Sequence, residues 1–464
     1  MTDAFRRFTL ERAVQATMAA TIPVFVLAAG SILSWLGPAR FLRWPLLLVL
    51  AALSVALALR RGGRPPTSAF AIGVAGFAVL ALVSVLWSPK PLLSGAHAAL
   101  FALVLATCGA LAWAAWGRPD VVALVVDGVL LGVALVAVGG LVLLAVDYDR
   151  AVMPATTEFP ARYQGIGGGP NTATMVMALG VPLAAQRLLR GRRWWRVAAG
   201  ALLVLLLGSI VASGSRGALL AAFAGLAVFV ALTVRAPRRK ALALGGVAAA
   251  LLVAIAVMRA PSPLPPGTPS TFVPPFAGHS AESPFEPKGD FVDANFVLRL
   301  EDDVGHPGLG VADTRRRTRT LLNSSGRSQA WTGTVGLISE RPIAGYGFGL
   351  EDKVFVDRYI SFNSAVPENS YLGLSLQLGV LGLIALVTVF VLLVVTVAKA
   401  FPQLDDRARV VVAGCGGAVA AGLVLGGFQS FLYAVGNNAT LTFWLAAFMA
   451  AAAAAATRDR APAR

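Results

Sequence analysis

The sequence predicts an all-α polytopic membrane protein with about twelve transmembrane helices and a large extracytoplasmic loop between helices 9 and 10. Three observations carry this prediction. Of the 464 residues, 57% are hydrophobic and only 13% are charged, whereas about a quarter of the residues in soluble domains are charged. The mean hydropathy is +0.74. Apolar runs of about 20 residues, the length that crosses a bilayer, recur along most of the chain.

The apolar runs place the helices in order along the chain. Their sequence numbers are 17–36, 44–60, 69–88, 92–116, 121–146, 171–186, 197–213, 217–234, 241–258, 371–398, 409–428 and 439–456. The predicted organisation is therefore nine helices in 1–258, a loop region in 259–370 and three helices in 371–464. Cys108 and Cys415 lie inside apolar runs, which indicates neither a disulfide framework nor a metal site.

The basic residues predict the orientation in the membrane. The net charge is +16, and the arginine clusters fall between apolar runs and at both termini, where the positive-inside rule places cytoplasmic segments. Their distribution favours contact with membrane lipids over binding of nucleic acid. An even number of helices then places both termini in the cytoplasm and exposes 147–170 and 259–370 on the extracytoplasmic face.

The long loop is uneven in composition. Residues 260–278 are Pro-rich and predict an extended segment. Asp302, Asp303 and His306 have a spacing that fits no recognised metal site, so no metal is predicted. From residue 326 onward the apolar residues have helical spacing. A short amphipathic helix is expected with Trp331, Val335 and Ile338 on one face, and residues 350–360 favour another short helix.

Three arginines on the predicted extracytoplasmic side run against the positive-inside bias. Arg216 sits in a tight Ser/Gly hairpin, Arg327 starts the amphipathic helix, and Arg162 precedes a run of glycines. Taken singly, Arg216 could extend to lipid headgroups, Arg327 could be solvated, and Arg162 could be an ordinary loop charge. Taken together, guanidinium groups bind phosphate oxygens bidentately and stabilise the charge that grows on a diphosphate leaving group.

Glu368 is the candidate general base. It follows Pro367 at the boundary between the loop and an apolar run. A carboxylate there can accept a proton from an attacking hydroxyl group. The alternative is local, because proline and acidic residues are both favoured at the start of a helix.

Several segments, in this order, resemble the O-antigen ligase and polymerase superfamily. They are "RYQGIGGGPNTAT" at 162–174, "SGSRGALLA" at 213–221, "SGR" followed by Trp331, "ERPIAGYGFG" at 340–349 and "ENSYLGLSLQLGVLGLI" at 368–384. The members of this superfamily are bacterial membrane glycosyltransferases that act on undecaprenyl-diphosphate-linked glycans. The resemblance covers about 160 to 385, and its specificity lies in the order and spacing of the segments.

The resemblance implies an inverting transfer at the outer face of the bacterial inner membrane. The lipid-linked glycan would be the donor, the hydroxyl group of a glycan or glycolipid the acceptor, and neither a metal nor another cofactor would take part. Glu368 would be the base, and the arginines would bind the diphosphate. The catalytic and substrate-binding residues implied in this way are Arg162, Arg216, Arg327, Trp331, Glu368, Asn369 and Tyr371.

The sequence departs from the family at one position. Ligases of this superfamily usually carry a histidine where this chain has Glu368. The glutamate therefore leaves the identity of the acceptor open. The sequence is compatible with a polysaccharide polymerase, which could have a chain-length regulator as a partner, and with a ligase. A protein O-oligosaccharyltransferase is a third alternative. A transporter or flippase of lipid-linked glycans is the alternative from another class, but its charged residues would be expected near the middle of the bilayer.

Overall fold

The computed structural model describes residues 2–29, 39–61, 67–154, 161–190, 193–259, 327–355 and 366–456. The Pro-rich segment and the Asp302, Asp303 and His306 group lie outside the described residues.

The described residues are almost entirely helical. In chain order the helices are α1 (Thr2–Ala29), α2 (Ala39–Arg61), α3 (Ala69–Val83), α4 (Pro91–Ala115), α5 (Pro119–Val146), α6 (Tyr148–Ala151), α7 (Thr172–Leu189), α8 (Arg193–Ser213), α9 (Arg216–Thr233), α10 (Pro237–Arg259), α11 (Arg327–Glu340), α12 (Glu351–Val354), α13 (Ser370–Ala400), α14 (Asp406–Gly426) and α15 (Asn438–Ala454). A two-stranded antiparallel ribbon pairs β1 (Val152–Met153) with β2 (Arg162–Tyr163), with Val152 opposite Tyr163.

The predicted fold class is confirmed. Eleven helices of the described part are long and apolar enough to cross a membrane, and the shorter apolar helix α15 brings the number of such helices to twelve. The position of the first helix was predicted wrongly as 17–36, because its apolar span is Leu10–Ala28. Glu11 and Arg12 are helical, and Glu11 forms an ion pair with Arg61 of α2.

Helix α15 lies at the centre of the bundle. Every one of its residues is buried, and its principal neighbours are α14, α4, α7 and α13. A helix that is apolar on all sides can occupy such a central position without burying unpaired charges. Elsewhere small residues bring helices together: a Cβ on Gly225 of α9 would approach the carbonyl oxygen of Gly417 in α14 to 2.7 Å, as is common in membrane bundles.

The helices place both ends of the described chain at the same end of the bundle. At that end, Arg61 meets Glu11 near the start of α1, and the Gly117 amide donates to the carbonyl of Ala452 near the end of α15. The connections α3–α4, α8–α9 and α14–α15 lie at the opposite end, together with residues 341–350 and 366–369. This opposite end is called the loop end below.

Helix α13 is broken at Gly379. Its φ of 62° and ψ of −157° are not helical, and a Cβ there would overlap the carbonyl of Ile343. Residues 342–349, called the wedge loop below, fill the break. Four backbone hydrogen bonds replace those that the helix loses: Tyr346 N to Leu376 O (3.0 Å), Gly347 N to Gln377 O (2.8 Å), Val380 N to Pro342 O (2.8 Å) and Leu381 N to Ile343 O (3.3 Å).

The wedge loop is also bonded to the turn between α3 and α4 and to the first turn of α4. The Phe348 amide donates to the Ser84 hydroxyl (3.0 Å), and the Ser94 hydroxyl donates to the Phe348 carbonyl (2.6 Å). The Trp87 indole donates to the carbonyl of Ala344 (2.9 Å). The wedge loop therefore joins α13 to the N-terminal half of the bundle.

The face that α11 buries is shifted from the predicted one. Trp331 and Ile338 are half-buried and Ile338 packs against the buried cluster, but Val335, expected on the same face, is 53% exposed. The buried residues are Ala330 and Thr334, and Ala330 packs in a cluster with Tyr346 and Leu376. Small side chains on this face let α11 approach the wedge loop and α13 closely, which the spacing of the large apolar residues did not indicate.

Candidate functional site

Arg327 and Glu368 form an ion pair at the loop end. The Arg327 Nε donates to Glu368 Oε2 at 2.9 Å, and Nη2 donates to the same oxygen. The side chains of Arg327 and Glu368 are 19% and 23% exposed, respectively. Both bonds end on Oε2, so the second carboxylate oxygen receives no bond from Arg327. The pair joins the first turn of α11 to the segment that precedes α13.

Glu368 has a left-handed backbone conformation. Its φ is 47°, and it is the one non-glycine residue with a positive φ in the part of the chain that the structure describes. Such a conformation is uncommon for a residue with a side chain and persists where the surroundings enforce it. One constraint comes from Trp331, whose indole donates to the carbonyl of Pro367 at 2.8 Å. The carboxylate is thus aimed at Arg327 by a strained backbone that is held in place.

Arg216 lies close enough to Arg327 for their charges to repel each other. It is the first residue of α9 and follows a tight turn in which Gly214 has a φ of 62°. The next residue, Gly217, lies against Phe428, to which an added Cβ would come within 2.7 Å. The start of α9 is therefore packed against the α14–α15 connection, and Arg216 is half-buried there.

Arg162 lies beside the same turn. From strand β2, its Nε donates to the carbonyl of Ser213 at 2.7 Å, and its Nη2 lies 3.4 Å from Asn171 Oδ1. The glycines that follow Arg162 serve packing, since a Cβ on Gly167 would come within 2.6 Å of the Ala173 amide. The structure thus brings Arg162 to the hairpin that carries Arg216.

Helix N-termini converge around these arginines. Helices α9 and α11 begin with Arg216 and Arg327, and α13 begins two residues after Glu368. The N-terminus of a helix carries a partial positive charge, so a cation in the first turn opposes the helix dipole. Two arginines at two such ends make a region that favours an anion, since helix N-termini and guanidinium groups both bind phosphate.

Asn369 and Tyr371 direct their polar atoms into the protein. Asn369 caps α13: its Oδ1 accepts from the amides of Tyr371 (3.0 Å) and Leu372 (3.2 Å). Its Nδ2 donates to the carbonyl of Gly427 (3.3 Å), and the Tyr371 hydroxyl donates to the carbonyl of Leu423 (2.6 Å). Substrate contact by these two residues stays a prediction.

A buried carboxylate next to the site escaped the sequence analysis. Glu351 is 6% exposed and accepts hydrogen bonds from Ser430 (2.7 Å), Tyr433 (2.7 Å) and Gln377 (3.3 Å). Burial raises the pKa of Glu351 to about 7, while the bonds from Ser430 and Tyr433 oppose the rise. Burial also raises the pKa of Tyr433 well above its usual value.

The sequence gives almost no sign of this carboxylate. Glu351 precedes Asp352 and Lys353, which form an exposed ion pair, so the three residues look like a solvated charge run. The one available signal is its position directly after the Gly-rich turn, where Gly345, Gly347 and Gly349 all have positive φ values.

Within the described residues, no group of three or more His, Cys, Asp or Glu side chains could hold a metal ion. Cys108 and Cys415 are buried and free.

The fold and the charged cluster define a multi-pass α-helical membrane protein with an anion-favouring site at one end of its bundle. Residues 201–387 match the model of a protein family described as O-antigen ligase, so the resemblance to the O-antigen ligase and polymerase superfamily is confirmed over this segment. The segment includes Arg216, Arg327 and Glu368, while Arg162 lies before it. A comparison with curated proteins found no match.

Proposed function

We propose that the protein is a membrane glycosyltransferase that moves a glycan from an undecaprenyl-diphosphate carrier to an acceptor hydroxyl group, with inversion at the anomeric carbon. The observation that carries the proposal is the Arg327–Glu368 pair, in which a strained carboxylate meets a cation at a helix N-terminus beside Arg216. The O-antigen ligase segment supports the reaction class, since it includes all three residues.

The arginines bind the donor in this proposal. Arg216 and Arg327 repel each other, so a diphosphate between them would relieve the repulsion and would gain bidentate hydrogen bonds. Arg162 supports the turn that carries Arg216 through its bond to the Ser213 carbonyl. Negative charge grows on the diphosphate as it leaves, so these cations stabilise the transition state more than the bound donor.

Glu368 accepts the proton of the acceptor. As the hydroxyl oxygen forms its bond to the anomeric carbon, the hydroxyl proton passes to the Glu368 carboxylate. The bond between the anomeric carbon and the diphosphate oxygen breaks, and its electron pair leaves with undecaprenyl diphosphate. Because both Arg327 bonds go to Oε2, Oε1 is the oxygen assigned to the incoming hydroxyl.

The orientation in the membrane follows from the charges. The opposite end of the bundle carries the basic clusters, among them Arg60 with Arg61 and the Arg235–Lys240 segment, and the positive-inside rule places that end in the cytoplasm. The site would then face the extracytoplasmic side of the bacterial inner membrane, where flipped lipid-linked glycans are present. Both termini would be cytoplasmic.

A transporter remains the alternative from another class. Transporters use broken helices whose free backbone groups line a substrate path near the middle of the bilayer. Helix α13 is broken at Gly379, but the backbone groups around this break are bonded to the wedge loop. The break therefore supports a fixed scaffold for the site better than a substrate path.

The test is glycan transfer by the purified protein in lipid nanodiscs. The donor is an undecaprenyl-diphosphate-linked oligosaccharide, offered with three acceptors in parallel: the same glycan, a lipid A–core glycolipid and a serine-containing protein. We expect Glu368→Gln and Arg327→Ala to lower kcat by about a hundredfold or more. Transfer to the growing glycan would identify a polymerase, and transfer to either other acceptor would identify a ligase or a protein glycosyltransferase.

The matched controls are Asp147→Asn and Arg150→Ala. These residues form an exposed ion pair at the loop end, so the changes remove the same charges outside the site. Parent-like turnover by Glu368→Gln would refute the assignment of the base. Equal losses in the control pair would show that the surface charge, and not the site, determines activity.

A further inference from the structure

The strained backbone of Glu368 is fixed from both sides. The peptide before it is held at the Pro367 carbonyl by the Trp331 indole, at 2.8 Å. The peptide after it is held at the Asn369 amide, which donates to the hydroxyl oxygen of Ser430 at 3.2 Å. A residue whose flanking peptides are both bonded cannot relax to a common backbone conformation without breaking a bond.

Ser430 is in turn oriented by Glu351. The Ser430 hydroxyl has a single proton, and it is donated to Glu351 Oε1 at 2.7 Å, so its lone pairs face the Asn369 amide. Glu351 is held by the Tyr433 hydroxyl and by the Gln377 amide group. The absence of a side chain at Gly373 makes room for this arrangement, since a Cβ there would overlap both Tyr433 and Glu351.

Ser370, the residue after Asn369, is also bonded to the α14–α15 connection that carries Ser430. The Ser370 hydroxyl donates to the carbonyl of Gln429 (2.6 Å) and accepts from the amides of Phe431 (2.9 Å) and Leu432 (3.2 Å). Residues 427–432 and 369–370 are therefore bound in both directions. These bonds place Ser430 beside the Asn369 amide, while the Ser430 hydroxyl itself holds the peptide that follows Glu368.

We propose that Ser430, oriented by the buried Glu351, is a positioning residue that holds the Glu368 carboxylate in the geometry needed for proton transfer. The proposal rests on the proposed function, in which Glu368 is the base. The hydrogen bonds run from Glu351 through the Ser430 hydroxyl to the Asn369 amide. A peptide N–H does not give up its proton at neutral pH, so no proton passes along this series. Ser430 and Glu351 therefore act on the orientation of Glu368 and do not receive its proton.

Removing the Ser430 hydroxyl should separate catalysis from binding. In Ser430→Ala we expect kcat to fall by about tenfold to a hundredfold, the range that follows from small misplacements of a catalytic group. The KM for the lipid-linked donor should stay within about twofold, because the diphosphate is bound by the arginines. Ser430→Thr keeps a hydroxyl group and should restore most of kcat. The matched control is Ser375→Ala, because the Ser375 hydroxyl donates to the Tyr371 carbonyl of its own helix and, among the described residues, joins no second element.

Amide hydrogen exchange gives a readout that does not need turnover. In the parent the Asn369 amide is bonded to Ser430, so it should exchange faster in Ser430→Ala and at the parent rate in Ser375→Ala. Unchanged exchange together with parent-like kcat in Ser430→Ala would overturn the proposal. A loss of kcat that Ser430→Thr does not restore, or that Ser375→Ala shares, would also overturn it.

Glu368→Gln is assayed beside these variants so that the two proposals can fail separately. Inactive Glu368→Gln with fully active Ser430→Ala would leave the base assignment intact and refute the positioning role. Fully active Glu368→Gln would refute the proposed function, and with it any effect of Ser430 on proton transfer.

Discussion

Replacing Glu351 with glutamine should make the stability of the protein less sensitive to pH. Burial raises the pKa of Glu351 from 4.5 to about 7, the nearby charge of Asp352 adds to the rise, and the hydrogen bonds from Ser430 and Tyr433 oppose it. Between these two pKa values the folded protein binds more protons than the unfolded chain. Its stability therefore falls as the pH rises.

The magnitude follows from the two pKa values. Their difference of about 2.5, at about 1.36 kcal/mol for each pKa unit, gives on the order of 3 kcal/mol. This contribution to the free energy of unfolding is fully present below about pH 4.5 and is lost as the pH rises through about 7. Glutamine has the same size as glutamate and does not titrate, so the variant lacks this pH-dependent contribution to the free energy of unfolding.

Thermal unfolding of the parent and Glu351→Gln between pH 5 and 8.5 measures the effect. We expect the Tm of the variant to rise relative to the parent by a few degrees across this range. Asp406→Asn is the control, because it removes an exposed carboxylate at the opposite end of the bundle from Glu351. A difference in Tm that stays constant with pH would refute the reasoning. A difference of opposite sign would show that the three hydrogen bonds outweigh burial.

Two further changes test the scaffold. Gly379→Ala should destabilise the protein by about 2 kcal/mol or more, because φ there is 62° and a Cβ would overlap the wedge loop; Gly208→Ala, which has open space, is the control in thermal unfolding. Arg61→Ala should cost about 1–2 kcal/mol, since it removes the partner of Glu11, whose side chain is 26% exposed, and the hydrogen bond to the Ala114 carbonyl. Adding Glu11→Gln should recover part of that loss, and the absence of any recovery would contradict the ion pair as the cause.

The sequence predicted the helices well because the membrane imposes their length and apolar character. It also selected residues that the structure brings together, since Arg327 bonds to Glu368 and Arg216 lies close enough to Arg327 for their charges to interact. That selection came from the resemblance and from arginines on the less expected side of the membrane. Local spacing alone was also compatible with a helix start at Glu368.

The parts that escaped prediction depend on contacts between distant segments. Glu351 meets Ser430 and Tyr433 across 79 and 82 residues, and no local pattern marks any of the three. The break at Gly379 lies in an apolar run that looks continuous. The face of α11 was predicted from its large apolar residues, whereas Ala330 and Thr334 are the residues that are buried.

The wedge loop can dock only after α13 has been synthesised, which affects how the protein matures. Its bonds to Ser84 and Ser94 join residues 264 and 254 positions apart, and such long-range contacts form late and slowly. Helices α1–α10 are therefore in the membrane before the wedge loop has its final partner. Chains that fail at this step remain open to proteases. Mutations in the wedge loop should accordingly reduce the amount of protein in the cell before they reduce the activity of each molecule.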